Sequence, residues 1–149
     1  FFISSLFVAN AQACIDINKT FFQSNEGHRR QFIQVECSKI KVSGGIPNSE
    51  KEFILDLDFH LFTKISKVPT WVYEGQAEFV SNNVLKTITR FSSSIDDSLW
   101  LTTDVYTFSG VQPNLKMHVE SSEFNVKTND LVHTYNVDYK QFTPVTQSY

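Results

Sequence analysis

The chain reads as an all-β domain, either a mainly antiparallel β-sandwich or a small closed barrel of about eight strands. Three observations lead there. Alanine, the best helix former, is nearly absent after Ala13, with Ala77 its only later occurrence, while Val, Ile, Phe, Tyr, Trp and Thr are frequent. Residues 53–62 (FILDLDFHLF) carry a two-residue period, with one row wholly apolar and Asp56, Asp58 and His60 on the other. Turn-forming residues then punctuate strand-like runs at spacings of about 8 to 15 residues, too many runs for a single sheet to hide its apolar face without closing or stacking.

The first 13 residues look like the end of an export signal: an apolar run (FFISSLFVA) followed by Asn10-Ala11-Gln12-Ala13, an A-x-A cleavage pattern before Cys14. The run is too short to span a bilayer, which takes about 20 apolar residues. Cys14 and Cys37 are the only cysteines. An even pair in an exported chain predicts a disulfide; a lipid on Cys14 is disfavoured by Gln12 in a small-residue slot.

Residues 16–31 offer Asp16 as a helix cap but contain Gly27, so they read as irregular or as one or two helical turns. Residues 30–37 (RQFIQVEC) are the first strand, with Phe32 and Gln34 on one face and Ile33 and Val35 on the other. A short run reaches Val42, and Gly44-Gly45 with Pro47-Asn48 makes the next turn. In residues 53–62, Phe53, Leu55, Leu57, Phe59 and Leu61 share one face, leaving Ile54, Asp56, Asp58, His60 and Phe62 on the other.

Two short strands, 70–73 and 77–80, are expected on either side of a turn at Gly75. Residues 84–91 (VLKTITRF) form another, closed by a Ser- and Asp-rich loop at 92–97. Residues 99–108 (LWLTTDVYTF) follow and end at Ser109-Gly110, with Pro113-Asn114 closing the turn. The last expected strands are 115–120, 123–127 and 131–142. The core expected from this pattern includes Leu55, Leu57, Phe59, Leu101 and Val105. Residues 14–149 form one domain, since no composition shift or repeat divides them and neither half holds much core.

Only 19% of the 149 residues are charged and the net charge is -3, which supplies no basic field for nucleic acid. The phosphate loops, nucleophile elbow and HExxH and CxxC signatures are all missing, so no cofactor or catalytic residue is assigned and an enzyme is the less favoured class. Three weaker arrangements stand out. Asp56, Asp58 and His60, about 7 Å apart in succession on one strand face, have the residue types of a metal or His-carboxylate site, although a solvated face explains them more simply. Trp71 and Tyr73, just before the expected Gly75 turn, fit either a core anchor or an aromatic lip that contacts a partner. His118 and His133, on neighbouring strands, are placed to pair across a hairpin.

The function expected from these features is that of a secreted or periplasmic binding module recognising another macromolecule, a protein or a glycan, in an adhesion, pilus-like or inhibitor role. The alternative is a carrier of a small apolar ligand in a barrel or cupped sandwich, suggested by 14 Phe.

Overall fold

The structure is a computed structural model that describes residues 13–45, 52–58, 63–64, 71–93 and 98–143, with residues 52–58, 63–64, 71–74 and 93 described by backbone and register. The described residues form ten strands: β1 (Thr20–Ser24), β2 (Arg29–Glu36), β3 (Lys39–Gly45), β4 (Glu52–Asp58), β5 (Thr63–Lys64), β6 (Trp71–Ser81), β7 (Val84–Ser93), β8 (Leu99–Ser109), β9 (Lys116–Asn125) and β10 (Asp130–Phe142). Among the described residues there is no helix, and so none long and apolar enough to cross a membrane.

All strands join one sheet in the order β4-β3-β2-β1-β10-β9-β8-β7-β6-β5, and every hydrogen-bonded pair is antiparallel. The chain therefore winds as a meander from β5 to β10, and β1 lies against β10 to carry the sheet on through β4. Because β4 then meets β6 and β5, the sheet curls into a nearly closed barrel. Closure is the economical answer to a chain of this pattern: it hides the apolar face and leaves few open strand edges.

Register identifies the inner row of each strand. Thr20 lies opposite Phe32, Phe32 opposite Val42, Tyr139 opposite Met117, Met117 opposite Phe108 and Tyr106 opposite Leu85, and all of these are buried. Aromatic edges fill one end of the barrel. The Phe32 ring meets Phe22 (5.8 Å between centroids), Tyr106 (5.6 Å) and Phe108 (5.9 Å), each near perpendicular. Such edge contacts add about 0.5–1.5 kcal/mol each beyond the area they bury.

The segment before β1 plugs that same end. Cys14 is joined to Cys37 at the end of β2, with Cα atoms 5.9 Å apart. Ile17 is fully buried beneath the aromatic layer, its amide donating to Gln34 Oε1 at 2.9 Å. The Ile15 amide donates to the Asn82 carbonyl in the β6–β7 turn, and Gln112 Nε2, in the β8–β9 loop, donates to the Asp16 carbonyl. The plug thus reaches three separate parts of the barrel rim.

Several expected elements are redrawn. Residues 20–24 are a strand, because Thr20, Phe22 and Ser24 form a buried alternate row once β2 and β10 flank them. Gly75 is no turn: it is buried inside the continuous strand β6, opposite Thr63 and Thr89. β9 likewise runs unbroken through Ser121 and Ser122, small residues that the ladder accepts. In β8 the inner row is Trp100, Thr102, Asp104, Tyr106 and Phe108, which places Leu101 and Val105 on the outer row, where they are partly buried. Phe59, also expected in the core, lies outside the described residues, as do residues 1–12 of the expected export segment.

Candidate binding site on the inner face

The inner face changes character along the barrel axis. Above the plugged, aromatic end sit Tyr106, Val119 and Tyr139, all at most 3% exposed. The next layer is polar: Arg30 on β2, Thr87 on β7, Asp104 on β8 and Ser121 on β9. Register fixes three members of this layer, with Asp104 directly opposite both Thr87 and Ser121, while Arg30 stands in the inner row of β2. Thr87, Ser121 and, one step higher, Thr89 are buried. Among the described residues the Thr89 hydroxyl has no hydrogen-bond partner, and a buried hydroxyl in that state costs free energy until something satisfies it.

Electrostatics follow from this placement. Arg30 and Asp104 keep some exposed surface as residues, yet their charged ends are surrounded by protein. Burial pushes the Asp104 carboxyl above the usual carboxylate range, while Ser121 opposite it and the Arg30 charge pull it back. Burial works to lower the Arg30 pKa, but Tyr106, Tyr139 and Asp104 outweigh it and leave it above its ordinary value. Burial also raises Tyr106, helped by Asp104 and opposed by Arg30. The Arg30 guanidinium carbon lies 5.7 Å from the centre of the Tyr139 ring, a cation-π distance that holds it in place.

Beyond this belt the inner row opens. Along β10 burial falls from Tyr139 (2% exposed) through half-buried Val137 to Tyr135 (37%) and an exposed His133. Trp100, Thr102 and Glu123 line the same end, partly buried, and Phe91 stacks on Trp100 at 6.3 Å between ring centres and 15° between planes. The barrel therefore has a plugged aromatic floor, a buried polar belt and an aromatic mouth that water reaches.

The residues singled out in the sequence lie as follows. Cys14 and Cys37 form the expected disulfide, which leaves no thiol on Cys14 to carry a lipid. Trp71 and Tyr73 stand in β6, opposite Ser93 and Phe91, in the alternate row of Ala77 and Phe79, so they do not precede a glycine turn. Asp56 and Asp58 lie in β4 opposite Lys41 and Lys39, cross-strand positions that suit a solvated ladder of opposite charges; His60 lies outside the described residues. Among the described residues, no group of three His, Cys, Asp or Glu could hold a metal ion. His118 and His133 do not pair. His118 faces outward, Nδ1 2.6 Å from Asp138 Oδ1 and Nε2 3.8 Å from Glu120, while His133 registers with Glu123.

Sequence reasoning missed Arg30, Thr87, Thr89, Asp104 and Ser121 as a group. The usable signal was the row Trp100, Tyr106, Phe108, whose large aromatics compete with Leu101 and Val105 for the core and carry Asp104 inward with them. No protein-family model matches the chain, and no curated protein or solved structure matches it.

Proposed function

We propose that this protein binds a small, partly apolar molecule in the open half of its barrel, the second of the two readings drawn from its sequence. One observation carries the proposal: a buried polar belt, with a hydroxyl left unpartnered at Thr89, lies between a packed aromatic floor and an aromatic mouth. A chain selected only for stability does better with apolar residues there, since buried charges repay their desolvation poorly. Polar groups set among aromatics at the mouth of a barrel are the arrangement that orients a small ligand. The Cys14–Cys37 disulfide supports a setting outside the reducing cytosol, secreted or periplasmic.

The test is a titration of the purified protein, stripped of bound organics, with the neutral apolar dye Nile red. Trp100 lies in the inner row, so entry of the dye should quench tryptophan emission, and Trp100→Phe should reduce that quenching. Saturable binding supports the reading. Failure of dye and extracted lipids alike to bind rejects it.

A second reading, recognition of a protein or glycan, is favoured by one feature. At the tip of the β9–β10 hairpin, Val126 (43% exposed), Leu131 (55%) and Val132 (51%) stand out of the barrel beside Phe124. Phe124 and Leu131 are direct cross-strand partners on the outer row. A partner captured through this tip should be lost on Leu131→Asp with dye binding unchanged.

A further inference from the structure

One row of side chains across the mouth narrows the ligand class, a step that rests on the ligand reading above. We infer that the molecule held in the barrel is an amine, its ammonium group seated among Thr89, Thr102 and Glu123 and its apolar body against Phe91 and Trp100. Register sets the three residues side by side on consecutive strands, Thr89 of β7 opposite Thr102 of β8, and Thr102 opposite Glu123 of β9, all on inner rows. The next row towards the rim is aromatic, with Phe91 opposite Trp100 and the two rings stacked. The next row towards the floor holds Thr87, Asp104 and Ser121.

An ammonium group brings three N–H donors and no acceptor, so it needs acceptors on several sides. Glu123 is a half-buried carboxylate that makes no ion pair or hydrogen bond among the described residues. Thr89 is only 5% exposed, and its hydroxyl lacks a partner among the same residues. Thr102 stands between them with a second hydroxyl, and the Trp100 ring offers the kind of face that attracts a cation most strongly. Charge favours the same class. Among residues whose side chains are described, the inner rows carry two carboxylates, Asp104 and Glu123, and one guanidinium, Arg30, which lies over the Tyr139 ring, deeper along β10 than the exposed His133 that faces Glu123. A bound ammonium therefore neutralises a carboxylate set among aromatic rings. An alcohol leaves that carboxylate unpaired, and a ligand carboxylate adds a like charge beside it where water is being excluded.

The inference is tested with three probes that share one tail: octylammonium, octanol and octanoate, each displacing Nile red from the wild-type protein at about pH 8 and constant salt. Octylammonium is expected to bind at least about tenfold more tightly than either of the others. Glu123→Gln keeps the side chain's size and removes its charge, so it should weaken octylammonium by about tenfold and leave octanol nearly unchanged. Glu120→Gln makes the same change of net charge on the outer row of the same strand and should leave all three probes unchanged, which separates the site from a general attraction of cations to an acidic protein. Octanol or octanoate binding as tightly as octylammonium overturns the inference, as does an equal loss in the two variants, and in both cases the ligand reading stands. Failure of all three probes and of the dye removes both. The wild-type series decides the matter even where a variant does not fold.

Discussion

Phe32 is the residue on which the floor of the barrel depends. It is fully buried and touches Phe22, Tyr106 and Phe108, so two strands besides its own, β1 and β8, lean on one ring. Phe32→Ala should cost about 3–5 kcal/mol in urea unfolding, while Val35→Ala, at a side chain 74% exposed on the same strand, should stay within about 0.5 kcal/mol. Asp104 makes a different prediction, one about pH. Its folded pKa lies above its unfolded value, so the folded state holds the extra proton. Its stabilising contribution is then fully present below the unfolded value, about 3.9, and is lost as pH rises through the higher folded pKa. Wild type should therefore lose stability relative to Asp104→Asn as pH rises upward from about 4. A difference in unfolding free energy that is flat with pH would show that Asp104 does not titrate differently in the fold. Neither residue's role was legible from alternation alone. Phe32 shares its row with Gln34 while Ile33 and Val35 make the other, and in LWLTTDVYTF both rows carry large apolar side chains, so in both strands only burial decides which row turns inward.

At the scale of elements, the strands legible in the sequence were those with one polar face, and the errors fell where a partner strand supplied the missing information. β1 has five residues and no long alternation of its own; it becomes a strand because β2 and β10 each offer it a ladder. Gly75 resembles a turn until Thr63 and Thr89 are placed opposite it. The disulfide, in contrast, was readable from a count of two cysteines, although what it anchors was not. It fixes a plug whose hydrogen bonds reach Asn82 and Gln112 as well as Gln34. Unfolded, non-reduced protein should show no free thiol on titration, and Cys14→Ser with Cys37→Ser should lower stability by about 2–4 kcal/mol. The β8–β9 loop carries its own test. Gly110 has a φ of +83°, and a Cβ there would lie 3.1 Å from the Asn114 carbonyl oxygen, so Gly110→Ala should destabilise by about 1 kcal/mol or more. An unchanged midpoint would mean that the loop relaxes freely.

For the whole molecule, the axial gradient matters more than the strand count. The same strands that close the floor also build the mouth, so stability should vary along each strand instead of from strand to strand. At the plugged end, Phe22, Phe32, Phe108, Met117 and Ile17 are fully or almost fully buried and the N-terminal segment covers them. At the other end, β10 residues 131–136 are exposed on both rows, and a register shift between Leu131 and His133 interrupts their ladder with β9. Local opening costs little where few buried contacts are lost. Amide hydrogen exchange should therefore be slowest at Phe32, Phe108, Met117 and Tyr139 and faster by orders of magnitude at Leu131, Val132 and His133, with β10 itself spanning the range. A small molecule seated in the mouth adds contacts there and not at the floor. It should slow exchange at Thr102, Glu123 and Tyr135 while leaving Phe32 unchanged, unless binding raises global stability enough to slow every core amide in parallel. Uniform protection along β10 in the free protein would contradict the gradient. Ligand-induced slowing confined to the outer hairpin tip would move the binding site from the barrel interior to the β9–β10 surface.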